Sequence, residues 1–443
     1  MAMLLPLIAL ASLHHAPLAL GTQTNGSITL TPYKASGIYN LNETAGWKIT
    51  RSGSTDNSPT KYHYQLLSNN ASVLMSGDWD LSNGPATLES KSSNPEMLFL
   101  KVTPMSGGAT NESRSSSILE AGAAIQPEQL KPVEPKPKDF DRFWSSKIKE
   151  LQKIPMNPVV TPDISDAPGV DFSIIQLDHI NGEHVYGQIA KPTKKGKYPA
   201  LLLLQWASPP YPLYKGWATQ YAHQGWLTLN IEPHNVLPNQ PKSYYDALPD
   251  SIKRYNEIGQ NDRDKNYFLR MYLADYRAVD YLTKCPDWDG KTLVVMGTSM
   301  GGQQSLAVSG LHPKITHVIV NEPAGCDINA SLYGRQQGYP YFNVKDPKVA
   351  ATAPYFDAIN FAPHIHAKAL VAMGFVDTIA PPTGIWTAFN LMKGPKEAAP
   401  MFNSPHNNMA TTQQQLPFTK RSQEWLNALV KGENVNPVKF RNP

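Results

Sequence analysis

TLVVMGTSMGGQQSLAVSGL, residues 292–311, is the stretch that decides the fold. Its opening, TLVVM, is a short apolar run bounded by polar sequence, which predicts a buried strand, and QQSLAVSGL continues as a helix. Between them Gly297-Thr298-Ser299-Met300-Gly301 forms the G-x-S-x-G turn that sets a serine on a tight strand-to-helix corner. Small residues at Gly297 and Gly301 let neighbouring backbone pass close by, and the amides of the helix N-terminus turn toward the serine hydroxyl. The bare five-residue pattern is common by chance, and a serine there can simply cap a helix. The flanking strand and helix make it a nucleophile elbow.

Outward from the elbow, short apolar runs alternate with helical segments from about residue 171. FSIIQLD, EHVYGQIA, ALLLLQW, LTLNIEP, TLVVMG, HVIVNEP, ALVAMGF and EAAPMFN are the candidate strands, and YFLRMYLADYRAVDYL (267–282) is the long helix before the elbow strand. This alternation predicts a mostly parallel eight-stranded sheet with helices on both faces, its first two strands antiparallel. The strand order matches the α/β-hydrolase fold.

A serine hydroxyl needs a base to take its proton and a carboxylate to fix the base's tautomer. Asp377 follows ALVAMGF, just past a strand's carboxyl end, where this architecture gathers reactive groups; Glu322 and Asp327, after HVIVNEP, are competing acids. His406 comes 29 positions after Asp377 and before the helix TTQQQLPFTKRSQEWLNALV, which completes the order Ser, Asp, His. The oxyanion then calls for two amides, that of Met300 and one from the loop after LLLLQ, at Trp206 or Ala207. Trp206, Tyr211 and Tyr214 near that loop are candidates to stack on a sugar ring or to pack in the core. Two long insertions, about 235–266 and 329–361, fall where lids and substrate walls form.

Upstream, residues 22–104 hold short strand-like segments such as SITLTPY, GWKITRS, KYHYQLL and EMLFLKV separated by turn formers, which predicts a small β-sandwich of immunoglobulin-like type. Its Trp47, Tyr64 and Trp79 suit plain core packing better than glycan binding. Residues 105–138, polar and then proline-rich, read as a linker; Asp139 is placed to cap the helix DFDRFWSSKIKELQK that opens a catalytic domain of 139–432, and 433–443 form a tail.

With 443 residues, 41% hydrophobic and 17% charged, the composition is that of a globular enzyme. A net charge of +4 with no Lys/Arg block gives no case for nucleic acid or an anionic membrane, and no run in the body of the chain suggests a membrane span. Residues 1–21, with the apolar MLLPLIALASLHHAPLAL but no basic start, read as a secretory signal, with a disordered or lipid-anchored start as the alternative, so a secreted or periplasmic protein is expected. The two cysteines, Cys285 and Cys326, leave one bridge open in an oxidising compartment, with two unpaired buried thiols the favoured reading.

At DFDRFW, at YLADYRAVDYL and DWDGKTLVVMGTSMGGQQSLA, at VNEPAGCD, at GFVDTIAPPTG and at the His406 loop, the chain resembles the acetyl xylan esterase and cephalosporin-C deacetylase family, over about 121–429. The resemblance implies that Asp377 is the acid, that Met300 and Ala207 supply the oxyanion amides, and that short acyl esters on sugars are deacetylated. It departs at two places: the family's His-Gly-Tyr is here Gln205-Trp206-Ala207, and its Arg-Gly-Gln is Pro233-His234-Asn235. Members of the family are often oligomers of single-domain subunits, which an added sandwich would reshape.

The expectation is a serine carboxylesterase acting on acetylated oligosaccharides or polysaccharides through Ser299, His406 and Asp377, with no metal and no cofactor. A prolyl-oligopeptidase-type peptidase shares fold and triad order but carries a far larger N-terminal propeller. A catalytically inactive glycan-binding protein is the non-enzyme alternative.

Overall fold

The computed structural model describes residues 23–24, 28–51, 59–105, 118–407 and 409–440. The leader assigned to residues 1–21 and the polar stretch 106–117 lie outside the described residues.

Counting helices of nine residues or more, the catalytic domain opens with α1 (Phe140–Gln152) and builds one sheet from nine strands. These are β1 (Val159–Asp163), β2 (Val170–Asp178), β3 (His184–Pro192), β4 (Tyr198–Leu204), β5 (Leu227–Ile231), β6 (Trp288–Thr298), β7 (His317–Asn321), β8 (Lys368–Gly374) and β9 (Lys396–Met401). Across the sheet the order is β1-β2-β3-β5-β4-β6-β7-β8-β9. The pairs β1–β2, β2–β3 and β3–β5 are antiparallel and the other five parallel. The eight expected strands are therefore one short. β1, VVTPD, is exposed at every position and contains a proline, so it carries neither the apolar run nor the alternation that betrays a strand, and it sits at the sheet edge as proline requires.

The remaining long helices are α2 (Lys215–His223), α3 (Tyr267–Lys284), α4 (Met300–Leu311), α5 (Pro382–Leu391) and α6 (Leu416–Val430). Side chains alternate along a strand, so Leu202 and Leu204 of β4 and Val295 of β6 join Trp144, Tyr272 and Leu306 on one face, while Leu201, Leu203 and Val294 join Trp425 and Leu426 on the other. Both faces are dry, which is why these strands read as unbroken apolar runs. Among the described residues no helix is long and apolar enough to cross a membrane.

The sandwich pairs a sheet of Gln23–Thr24, Ile28–Pro32, Ala45–Arg51 and Ala86–Ser90 with one of Ile38–Tyr39, Leu119–Ile125, Glu96–Pro104, Lys61–Ser68 and Ser72–Asp80. Trp47 is buried in its core, and Tyr64 and Trp79 stack at 4.3 Å against that core. The domain thus runs to residue 125 rather than 104, and the expected linker 105–138 contributes a strand. That strand, LEAGAAI, hides because it is buried on two sides: Ala121 and Ala123 line the sandwich core, while Gly122 lies against Phe375 of the catalytic domain. Leu67 and Phe99 of the sandwich also pack on Val376.

Two smaller expectations are corrected as well. Asp139 makes no side-chain cap on α1; its carboxylate instead accepts from Arg263 Nη1 at 2.8 Å and from the Tyr355 hydroxyl, tying the helix start to both insertions. The segment 433–440 is no loose tail, because Val435 is buried, its carbonyl accepts from Lys368 Nζ at 2.8 Å, and Phe440 meets Trp386 edge-on at 4.8 Å. Cys285 and Cys326 are free thiols, the second buried as expected and the first only half-buried.

Candidate functional site

Ser299 sits between β6 and α4 with φ 58° and ψ −121°, a backbone that L-residues rarely adopt and that stores strain at functional turns. The closeness of the chain explains the glycines. A Cβ on Gly297 would lie 2.3 Å from the Gly301 carbonyl carbon, and one on Gly301 would lie 2.2 Å from the Leu204 carbonyl oxygen. The corner is pinned to the next strand, since the Ser299 amide donates to the Asn321 carbonyl and the Ala324 amide to the Ser299 carbonyl, each at 3.0 Å.

Asp377 lies just beyond β8 and is fully buried. Its Oδ1 accepts the Ile379 and Ala380 amides, both at 2.8 Å, which orients the carboxylate, and its Oδ2 is 2.7 Å from His406 Nδ1. His406 Nε2 is 2.8 Å from Ser299 Oγ. Hydroxyl, imidazole and carboxylate therefore form one hydrogen-bonded chain, with Nδ1–H donated to the acid and Nε2 free to accept from the serine. Three residues separated by up to 107 positions meet at the carboxyl ends of β6, β8 and β9.

The acid that competed in the sequence is also present. Glu322, just beyond β7, is fully buried with Oε2 4.0 Å from His406 Nδ1, but its oxygens accept from Ser404 Oγ at 3.2 Å and Gln415 Nε2 at 3.1 Å. Burial, and secondly the Asp377 carboxylate beside it, push the Glu322 carboxyl well above the usual range, and Asp377, at 2.7 Å, is the acceptor of the Nδ1–H hydrogen bond. Asp327 is engaged elsewhere, with Arg335 Nη1 at 2.6 Å. Glu322, Asp377 and His406 are the one group among the described residues close enough together to hold a metal ion, yet both ring nitrogens of His406 are already engaged.

Met300 opens α4, so its amide is among the first-turn donors that have no partner within the helix. The second expected donor, Ala207, lies in the loop after β4. That loop is braced by a buried amide chain which sequence reading missed: Gln304 Nε2 donates to the Gln205 carbonyl at 3.1 Å, Tyr211 donates to Gln205 Oε1 at 2.8 Å, and Gln205 donates to Asn230. The glutamine that replaces the family's histidine is thus a bracing side chain, and its partners Asn230 and Gln304, 25 and 99 positions away, left no signal in the sequence. His234, in place of the family's arginine motif, is buried between Tyr255 and Tyr267; burial pushes its imidazole down to about 3, so it is neutral.

Tyr255 of the first insertion and Tyr339 of the second meet at 2.8 Å between hydroxyls, and both lie on the Met300 sulfur, at 3.1 and 3.2 Å. The insertions therefore converge on the residue after the nucleophile. Trp206, Tyr211 and Tyr214 form one aromatic patch with Trp217, ring centres 4.8–6.3 Å apart, with Tyr214 43% exposed.

The family model for acetyl xylan esterase matches residues 126–423. An acetyl esterase of Xylanibacter ruminicola, Axe7A, is 34% identical over 282 residues, which span 62% of this chain and 64% of that protein. Among solved structures, an acetyl xylan esterase from Paenibacillus sp. R4 superposes with TM-score 0.58 at 23% identity, and acetyl xylan esterase 1 from Thermoanaerobacterium sp. JW/SL YS485 with 0.57 at 19%. Each alignment covers 69% of this chain and 98% of the other, so the fold is shared over that part of the chain.

Proposed function

The chain belongs to the acetyl xylan esterase family, and from that premise we propose that it is a serine carboxylesterase that removes acetyl groups from acetylated carbohydrates. The observation that carries the reading is the unbroken hydrogen-bonded chain from Asp377 through His406 to Ser299 Oγ on a strained, glycine-flanked turn.

In the mechanism that follows, Ser299 Oγ attacks the ester carbonyl while His406 Nε2 takes its proton, and Asp377 stabilises the imidazolium through Nδ1. The tetrahedral oxyanion accepts from the amides of Met300 and Ala207, held in place by the helix start and by the Gln304–Gln205 brace. His406 then returns the proton to the leaving sugar hydroxyl, and the ester bond breaks to leave Ser299 acetylated. Water, deprotonated by the same imidazole, attacks the acyl-enzyme and releases acetate and the free serine. The patch of Trp206, Tyr211 and Tyr214 offers ring faces to a sugar. Export, carried by the apolar stretch within residues 1–21, suits a polymer that stays outside the cell.

The reading is tested by measuring acetate released from acetylated xylan, acetylated monosaccharides and cephalosporin C side by side. Release from the acetylated carbohydrates that vanishes in Ser299→Ala supports it. Preferential cleavage of a prolyl peptide amide, or no turnover alongside measurable binding to xylan, would replace it with the peptidase or the binding-protein reading.

A further inference from the structure

Glu322 is an acid that the triad does not use, in a position built at some cost. It holds φ 45°, a left-handed backbone that costs a non-glycine residue on the order of 1 kcal/mol. Room for its carboxyl is made by Gly374 at the end of β8, where a Cβ would lie 2.6 Å from Glu322 Oε1. Ser404 and Gln415 each donate to it. Among the described residues its one ion-pair partner within 4.0 Å is the His406 imidazole, and no lysine or arginine neutralises it. A buried carboxyl with two donors, no cation and a catalytic imidazole beside it needs a reason to be an acid at all.

The geometry points to Glu322 as a second carboxyl behind the imidazole, a positioning residue that steadies His406 and becomes the acceptor of its Nδ1–H when Asp377 is lost. This rests on the esterase reading of the site. The titratable groups facing Glu322 are Asp377, beyond β8, and His406, beyond β9. In the native site Glu322 keeps its own proton, because burial first and the neighbouring Asp377 carboxyl second both raise its pKa. Without Asp377 the second of these ends while burial stays, and the positive charge that His406 gains as it takes the Ser299 proton favours the carboxylate: Glu322 then releases its proton to solvent and accepts from Nδ1–H. Carboxyls on adjacent strands, β7 and β8, thus converge on the histidine that follows β9.

The test compares kcat/KM for p-nitrophenyl acetate in four chains: native, Glu322→Gln, Asp377→Ala and the double variant. Glu322→Gln alone costs roughly two- to fivefold, and the same change in the Asp377→Ala background costs about tenfold more than that. An equal factor in both backgrounds overturns the proposal. If Glu322→Gln does not fold, the His406 imidazole of Asp377→Ala, followed by NMR, decides. It keeps the downfield Nδ1–H resonance of an imidazole bonded to a carboxylate if Glu322 replaces Asp377 as the acceptor, and loses that resonance if it does not. Failure of the esterase reading is seen separately, as undiminished turnover in Ser299→Ala.

Discussion

Gly122 of the sandwich lies so close to Phe375 of the catalytic domain that a Cβ there would come within 2.5 Å of the Phe375 Cβ. Phe375 stands two residues before Asp377, and Phe402, four before His406, closes in the same way on Gly37 of the sandwich. The turn Asn69-Asn70 adds polar ties: the Gln336 amide donates to the Asn69 carbonyl at 3.1 Å, Asn70 donates to Gln336 Oε1, and Gln336 Nε2 donates to the Thr378 carbonyl at 2.7 Å. The sandwich is therefore a buttress of the loops that carry the acid and the base.

From this contact, Gly122→Leu is expected to overpack the interface by about 1–3 kcal/mol. Tm falls by several degrees and kcat/KM falls with it, because the strain is delivered next to Asp377. A variant with native Tm and native turnover would show that the two domains merely touch.

The elbow gives a sharper expectation. Gly301→Ala places a methyl 2.2 Å from the Leu204 carbonyl oxygen, which is backbone and cannot swing away. The turn must shift, and a misplacement approaching 1 Å costs about 10²-fold in rate. Burst kinetics with p-nitrophenyl acetate measure it; a loss under about threefold would mean that the corner has slack.

A pH effect on stability follows from His317 at the start of β7, where burial first and Lys368 second push the imidazole down to about 4. In the unfolded chain this group titrates near 6.5, so between those values the unfolded state binds a proton that the folded state refuses. Its contribution is complete above about 6.5 and is lost as pH falls toward 4. His179 and His234, both pushed down to about 3, act in the same direction, whereas Asp357, pushed up to about 7 chiefly by burial, acts in the opposite one. Comparing Tm of the native chain and His317→Gln from pH 7 to pH 4 cancels these other groups. The variant should lose fewer degrees; equal losses would contradict the assignment.

The sequence made the catalytic sheet legible where strands are buried on both faces, because unbroken apolar runs such as ALLLLQW admit little else. It concealed β1, exposed and proline-bearing, and the strand 119–125, whose small residues serve contacts on both sides and so show no alternation. Ser299, Asp377 and His406 were readable because each follows a strand end in a fixed chain order. The Gln304–Gln205–Asn230 chain and the setting of Glu322 were not, since hydrogen bonds between residues up to 99 positions apart leave no spacing to detect.

The central claim is that Ser299 Oγ is made nucleophilic by the imidazole 2.8 Å away. Steady-state hydrolysis of p-nitrophenyl acetate by folded Ser299→Ala and His406→Ala tests it most directly. The account predicts that each loses several orders of magnitude in kcat, on the order of 10⁴-fold or more, and that combining them costs little beyond either alone. Near-native turnover in either variant, with its circular dichroism unchanged, would contradict it.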